Sequence, residues 1–207
     1  MRGKFITFEG GEGGGKSTQA ARMAGYLRGK GLEVIETREP GGTPQGEDLR
    51  DLLVQGDPDR WSALSELLLL TAARVEHVNR LIGPSLAEGK WVICDRFADS
   101  TLAYQGIAGE LGTELVEQLQ QLAVGASSPD VTFLLDVRAE AGLQRAEKRC
   151  GAARFEKKGA AFHQTLRDGF LALANENPQR IVLIDGEDTF DNVWGQIEAE
   201  LGRRFKL

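Results

Sequence analysis

The sequence contains few cysteines and few histidines, and neither residue type forms a pattern. The two cysteines, Cys94 and Cys150, lie far apart and in no CxxC pair, which excludes a disulfide framework and a zinc knuckle. The two histidines, His77 and His163, have no cysteine or carboxylate at ligand spacing, so we interpret them as packing or surface residues. We therefore predict no structural metal, and the low cysteine content favours a reducing cytoplasm.

The sequence also lacks an excess of positive charge and any long apolar run. It holds 25 basic and 31 acidic side chains, a net charge of −6, which argues against a nucleic acid as the main partner. The densest apolar run, residues 67–70, is far too short to span a bilayer, and Glu9 interrupts the first apolar stretch before a signal-peptide core could form. We predict a cytoplasmic protein with no membrane role.

The composition is that of a globular protein, with 41% hydrophobic and 27% charged residues among 207. Short apolar runs alternate with longer stretches of helical periodicity, which is typical of a parallel sheet covered by helices on both faces. We expect one α/β domain over residues 1–207, with Pro84 and Gly89 in the turn before the third strand. Strands are predicted at 4–9, 33–37, 91–95, 131–136 and 180–185, and helices at about 16–29, 45–55, 61–82, 97–106, 112–124, 138–150, 160–176 and 189–204.

The segment after the first predicted strand fits the pattern GxxxxGK[ST]. Glycines let backbone N–H groups turn inward as an anion nest, and the start of the following helix adds a positive dipole end. In this pattern Lys16 reaches the β- and γ-phosphates, and the Ser17 hydroxyl can hold Mg²⁺. Its position between a strand and a helix favours a nucleoside triphosphate site over a flexible glycine-rich turn. The expected ATP-binding residues are Gly10, Gly11, Glu12, Gly13, Gly14, Gly15, Lys16, Ser17 and Thr18.

Two further features favour a kinase over a GTPase switch. The chain has no Asn-Lys dipeptide, so the segment with which GTPases read guanine is missing. Residues 145–158 carry six basic and two acidic side chains, and such a cluster can neutralise a transferring phosphoryl group. The Gly-Ala-Ala segment at 151–153 interrupts the helical pattern and predicts a hinge for a short lid. The alternative is a solvated, charged helix end.

Two apolar strands end in an aspartate that could bind Mg²⁺, namely Asp95 and Asp136. Asp95 is followed by Arg96, a bidentate phosphate donor, whereas Asp136 is followed by Val137. We therefore favour Asp95 and Ser17 as the metal ligands. Asp136 is interpreted as a helix-capping or structural carboxylate.

Taken together, these segments resemble bacterial thymidylate kinase. The resemblance is carried by the phosphate loop, by Thr-Arg-Glu-Pro-Gly-Gly-Thr at 37–43, by Ala-Ala-Arg at 72–74 and by Asp-Arg-Phe at 95–97 running on to residue 106. It covers nearly the whole chain. It implies a three-layer P-loop kinase fold and transfer of the ATP γ-phosphoryl group to dTMP, with Mg²⁺ as cofactor, in dTTP synthesis. It also implies a homodimer formed through long helices that include residues 61–82.

The resemblance also implies a role for each matching residue. Arg38, Arg50 and Arg96 look like the clamp for the acceptor phosphate, and Glu12 looks like the partner of the sugar 3′-hydroxyl. Arg74 matches the arginine that hydrogen-bonds the thymine carbonyl. The implied catalytic residues are Lys16, Asp95, Arg96 and the lid arginines Arg149 and Arg154.

The rest of the implied acceptor site follows the Asp-Arg-Phe segment. Tyr104 matches the residue that disfavours a ribose 2′-hydroxyl. Phe97, Thr101 and Gln105 are spaced four residues apart, so one helical face can carry all three toward a shared cleft. The implied acceptor-binding residues are Glu12, Arg38, Glu39, Arg50, Leu70, Arg74, Arg96, Thr101, Tyr104 and Gln105.

Two positions depart from the family pattern. Leu70 stands where relatives usually place a Phe or Tyr that stacks on thymine, and losing that aromatic contact costs about 0.5–1.5 kcal/mol. We expect looser base recognition rather than a different substrate. Gly13 stands where some relatives carry a catalytic arginine, and Arg145, Arg149 or Arg154 could serve instead, with Arg154 the best match to the lid motif.

Two alternatives stay open on the sequence. The first is a phosphate-loop kinase that acts on a deoxynucleoside or on a different monophosphate. The second is a regulatory module that hydrolyses ATP slowly and signals by lid closure. Such a module has no evident use for Arg38, Arg50, Arg74 and Arg96, because these arginines need an anionic acceptor.

Overall fold

The computed structural model describes residues 2–148, 154–155 and 157–207. Its sheet is wholly parallel, with the strand order β2-β3-β1-β4-β5. Each predicted strand is confirmed to within one residue at either end. Most of these strands are short apolar runs, and the three central strands of the sheet are buried along nearly their whole length. The strands are β1 (Phe5–Glu9), β2 (Val34–Arg38), β3 (Trp91–Asp95), β4 (Val131–Asp136) and β5 (Ile181–Asp185).

Helices cover both faces of this sheet, as predicted. Successive side chains of a strand point to opposite faces, so Phe8 of β1 packs with Met23 and Ile197, whereas Phe5 packs with Ile82 on the other face. The helices within the described residues are α1 (Lys16–Gly29), α2 (Pro44–Val54), α3 (Ala63–His77), α4 (Gly83–Ala87), α5 (Ala98–Thr101), α6 (Thr113–Val124), α7 (Ala139–Glu147), α8 (Ala160–Glu176) and α9 (Phe190–Phe205).

The helix predicted at 61–82 runs further than the sequence indicates. α3 begins after the Ser62 N-cap and passes through a π-helical turn, Val78–Ile82, directly into α4. The prediction that Pro84 lies in a turn is therefore wrong, although Gly89 does turn the chain with φ +86°. Pro84 is accommodated because it sits in the first turn of α4, where a missing N–H costs nothing.

The strand order also fixes where a ligand can bind. The neighbours of β1 are β3 on one side and β4 on the other. The connection from β1 to β2 and that from β3 to β4 run in opposite directions along the sheet, so a crevice opens beyond the carboxyl ends of the strands. β1, β2 and β3 deliver Glu9, Arg38 and Asp95 to this edge. In the part of the chain that the structure describes, no helix is both long and apolar enough to cross a membrane.

Candidate active site

A cleft of about 300 Å³ opens at the carboxyl edge of the sheet, large enough for a small organic ligand. It brings together most of the predicted site residues from five separate segments of the chain. Gly10, Gly11, Thr18 and Arg154 are not among the described residues that line it, and Arg149 lies outside the described residues. The predicted residues that line it are Glu12, Gly13, Gly14, Gly15, Lys16, Ser17, Arg38, Glu39, Arg50, Leu70, Arg74, Asp95, Arg96, Thr101, Tyr104 and Gln105.

The phosphate loop joins β1 to α1, with Lys16 as the first residue of the helix. The Lys16 ammonium donates to the carbonyl oxygen of Gly11 at 2.7 Å, so the side chain folds back over the loop. Burial and the nearby positive charge of Arg96 lower the pKa of Lys16 to about 8, against the opposing pull of Glu12 and Asp95. A phosphate arriving in the loop would therefore meet a poorly solvated cation.

Gly13 occupies a position in this loop where any side chain would force the backbone to move. Its φ is +67°, and a Cβ there would lie 2.0 Å from the carbonyl oxygen of Gly142 on α7. A Cβ on Gly142 would in turn lie 2.3 Å from the carbonyl oxygen of Glu12. The loop and α7 thus pack backbone against backbone, which is the physical reason that an arginine has no room at position 13.

Arg96 and Glu12 form an ion pair in the middle of the cleft. Arg96 Nη2 donates to Glu12 Oε1 at 2.9 Å, and the Tyr104 hydroxyl donates to the same oxygen at 2.7 Å. Burial opposes ionisation of Glu12, but the charges of Arg96 and Lys16 outweigh it and lower the pKa of Glu12 to about 2. Glu12 is therefore a carboxylate that can accept a hydrogen bond from a ligand hydroxyl.

Arg96 adopts a backbone conformation that is rare for a side chain of its size, with φ +69°. Its guanidinium also donates to the carbonyl oxygen of Gly10 at 3.0 Å and to the Ser100 hydroxyl at 3.1 Å. The guanidinium lies 5.1 Å from the centre of the Tyr104 ring. These contacts hold one arginine over the loop, and such strain is found mostly at functional positions.

Asp95 and Asp136 differ in whether their oxygens are already engaged. Ser17 donates its hydroxyl to Asp95 Oδ2, while Asp95 Oδ1 is buried without a hydrogen-bond partner among the residues described. Asp136 instead accepts two hydrogen bonds from Arg167, at 2.7 and 2.8 Å, and makes no cap on α7. Asp136 is thus a structural carboxylate, whereas Asp95 has a carboxylate oxygen available to bind a metal ion. No cluster of three or more His, Cys, Asp or Glu suited to a metal occurs in the described ranges.

Two more arginines enter the cleft from the segment after β2. Arg50 on α2 donates to the carbonyl oxygen of Pro40 at 2.7 Å, and Arg38 at the end of β2 donates to Glu47 at 3.0 Å. Burial and the charge of Arg38 lower the pKa of the Arg50 guanidinium, which remains a cation. The cleft therefore holds positive charge beyond that of the phosphate loop, which suits a second anion.

Arg74 is the most buried of the arginines that line the cleft. It is only 2% exposed, and it donates to Glu39 Oε2 at 2.7 Å and to Gln120 Oε1 at 2.5 Å. His77 contacts the other oxygen of Glu39 at 2.9 Å and Thr37 at 2.6 Å. The prediction that His77 is a packing or surface residue leaves out its contact with Glu39, and no sequence pattern points to Gln120. The spacing of three residues between Arg74 and His77 places both on one face of α3 and could have linked them.

The face predicted from Phe97, Thr101 and Gln105 does reach the cleft, and all three residues line it. The segment is not one regular helix, because α5 passes at Leu102 into a second π-helical turn, Leu102–Ile107. Gln105 Nε2 donates to Glu66 Oε1 at 2.8 Å, which fixes the amide toward α3. Leu70 lines the same region of the cleft and is 8% exposed.

Arg154, predicted to be a catalytic lid arginine, is not among the described residues that line the cleft. Its guanidinium is 1% exposed and pairs with Glu66 at 2.5 Å. The next residue, Phe155, does line the cleft, and sequence reasoning missed it. The predicted hinge at 151–153 lies outside the described residues.

The comparisons with known proteins agree with this geometry. The family model described as "Thymidylate kinase" matches residues 8–197. Thymidylate kinase of Caulobacter vibrioides is 52% identical over 206 residues, spanning 100% of this chain and 99% of the relative. Thymidylate kinase of Dinoroseobacter shibae is 53% identical over 201 residues, spanning 96% of each. The crystal structure of thymidylate kinase from Ehrlichia chaffeensis has a TM-score of 0.80 and 37% identity, covering 97% of this chain and 99% of that one.

The family model matches most of the chain, relatives are identical to it at about half of their positions, and its fold is that of an α/β P-loop kinase. The chain therefore belongs to the thymidylate kinase family.

Proposed function

We propose that this protein transfers the γ-phosphoryl group of ATP to dTMP, giving dTDP and ADP, as a Mg²⁺-dependent step in dTTP synthesis. One observation carries the proposal: a single cleft is lined by a phosphate loop with Lys16 and by the arginines Arg38, Arg50 and Arg96. Two anion sites in one cleft suit a donor and an acceptor that both carry phosphate.

The chemistry asks the protein for positioning and for positive charge. The acceptor phosphate has a second pKa of about 6, so it is largely ionised near neutral pH and needs no general base. Lys16 and Arg96 would stabilise the negative charge shared between donor and acceptor in the transition state. Glu12, held as a carboxylate by Arg96, would accept the hydrogen bond of the sugar 3′-hydroxyl.

Ser17 and Asp95 would hold Mg²⁺. The fit rests on Asp95 Oδ1, a buried acceptor without a partner among the described residues, next to a serine hydroxyl at the start of α1. Oxygen donors of this kind are those that Mg²⁺ prefers. When bound, the ion would neutralise charge on the ATP phosphates. The hydrogen bond from Ser17 to Asp95 orients the two side chains toward each other.

Arg74 would read the base. A guanidinium donates and cannot accept, so it would pair with a thymine carbonyl and leave the amine of cytosine without a partner. Leu70, Thr101 and Gln105 would line the base, and Tyr104 would crowd a ribose 2′-hydroxyl. Glu39 would act through Arg74, because it accepts the Arg74 hydrogen bond at 2.7 Å.

The protein would act as a homodimer in the cytoplasm. Large apolar side chains are exposed on two neighbouring helices, Leu64 and Leu68 on α3 and Leu115 and Leu122 on α6, and a partner subunit could cover them. We also infer one kinase domain over residues 1–207, with a lid at about 145–158 that supplies Arg149 to the phosphates.

The test is a coupled assay of ADP release with ATP and Mg²⁺ and, in parallel, dTMP, dUMP, dCMP, UMP or no acceptor. We expect a preference for dTMP that weakens in Arg74→Ala. Turnover that is equal with every acceptor, or that needs none, would contradict the proposal.

A further inference from the structure

Phe155 is an aromatic residue in the lining of the cleft. It lines the cleft together with Leu70 and Tyr104, and its ring meets the Tyr104 ring edge-on, with the centroids 5.8 Å apart. Tyr104 in turn donates to Glu12 and lies against Arg96. Phe155 is therefore one ring away from the residues that face the acceptor sugar and phosphate.

The preceding residue, Arg154, is held by hydrogen bonds and an ion pair to residues outside the cleft lining. Its guanidinium donates to three carbonyl oxygens in and after α2: Leu53 at 3.1 Å, Asp57 at 3.0 Å and Pro58 at 2.9 Å. It also pairs with Glu66 of α3 at 2.5 Å. Four acceptors thus surround a side chain that is 1% exposed.

These contacts distinguish an anchor from a phosphate ligand. To reach a phosphate, Arg154 would have to give up its hydrogen bonds to three carbonyl oxygens and its ion pair with the buried carboxylate of Glu66. Staying in place, the guanidinium lies 5.1 Å from the centre of the Phe155 ring and fixes that ring from behind. Glu66 also accepts from Gln105, so one carboxylate joins the anchor to the acceptor side.

We propose that Phe155 binds the acceptor nucleotide and that Arg154 is the positioning residue that holds Phe155 in the cleft. Phe155 supplies aromatic surface in a cleft where position 70 carries leucine. The inference rests on the proposed function, because it takes the acceptor to be a nucleoside monophosphate.

The first test compares Phe155→Leu with Phe162→Leu. Phe162 is a matched control, because it also contacts the Tyr104 ring, at 6.2 Å, but it does not line the cleft in the described part of the chain. We expect Phe155→Leu to raise the KM for dTMP about 2- to 10-fold and to leave the KM for ATP unchanged. Phe162→Leu should change neither. Equal effects of the two variants, or an effect on ATP alone, would overturn the proposal.

The second test adds Arg154→Lys, alone and combined with Phe155→Leu. Lysine keeps the charge but cannot reach four acceptors with a planar fork. We expect Arg154→Lys to raise the KM for dTMP as Phe155→Leu does, and to add little in the Phe155→Leu background. A large loss of kcat with an unchanged KM for dTMP, or additive effects, would mean that Arg154 is a phosphate ligand.

Two readouts separate the possible failures. Thermal unfolding of each variant shows whether it is folded, and Phe155→Leu tests the binding claim even if Arg154→Lys does not fold. Wild-type protein that fails to phosphorylate dTMP would contradict the proposed function. Wild-type activity with unresponsive Phe155 variants would contradict only this inference.

Discussion

Replacing Gly13 with alanine should damage the protein more than the same change at Gly15, although both glycines have positive φ, +67° and +85°. A side chain in the left-handed region costs about 1–2 kcal/mol at either position. At Gly15 the added Cβ meets nothing within 4 Å, so this is the whole cost there. At Gly13 the Cβ would lie 2.0 Å from the Gly142 carbonyl oxygen, and backbone must move.

The second contribution makes the difference measurable. Overpacking of this kind costs about 1–3 kcal/mol, so Gly13→Ala should lower the free energy of unfolding by about 2–5 kcal/mol. Urea unfolding of both variants, without nucleotide and at one protein concentration, measures the two values. Equal losses, or a larger loss for Gly15→Ala, would refute the claim that the loop packs backbone against backbone on α7.

Three further predictions concern charged groups of the cleft. Arg74→Ala leaves the buried carboxylate of Glu39 without its arginine and should lower the free energy of unfolding by about 3–5 kcal/mol. The control Glu76→Ala removes only a more exposed ion pair with Arg80 and should lower it by less than about 1 kcal/mol. Similar losses for the two variants in urea unfolding would contradict this. Because the pKa of Lys16 is lowered to about 8, ATP affinity of the free enzyme should fall as pH rises through 8, and ATP binding at pH 8 should take up protons. Calorimetry in two buffers measures this uptake, and an affinity that is constant from pH 7 to 9 would count against it. Asp95→Asn should reduce kcat by about 10²-fold or more and raise the Mg²⁺ concentration needed, while Asp136→Asn should leave the Mg²⁺ requirement unchanged; the reverse pattern in a Mg²⁺ titration would assign the ligand to Asp136.

Features that are formed by residues adjacent in the sequence could be predicted from it. Most of the five strands are short apolar runs, and the phosphate loop is a single segment whose glycines, lysine and serine have fixed spacing. Asp95 is the last residue of β3 and Arg96 follows it directly, so the topology alone delivers both to the cleft.

Contacts between distant residues could not be predicted in this way. Gln120 meets Arg74, and Glu66 meets both Gln105 and Arg154, across 39 or more positions of the chain. A local pattern shows that Glu66 is charged but not which cation faces it. The basic segment at 145–158 likewise shows which side chains are charged but not which groups they contact. Arg154 is buried against carbonyl oxygens and does not line the cleft.

The helix ends show the same limit on a smaller scale. A π-helical turn adds one residue to a turn without interrupting the apolar pattern, so periodicity alone did not separate α3 from Val78–Ile82. Pro84 carried a turn signal by composition. In the fold it continues the helix, because the first turn of α4 needs no N–H from it.

The central claim is that one cleft binds ATP and dTMP together and transfers the γ-phosphoryl group from the first to the second. The most direct test follows the label of γ-³²P-ATP, incubated with the protein, Mg²⁺ and dTMP, by separating the products. The account predicts label in dTDP and almost none in inorganic phosphate, with transfer lost in Lys16→Ala. Label released as inorganic phosphate at the same rate with and without dTMP would contradict it.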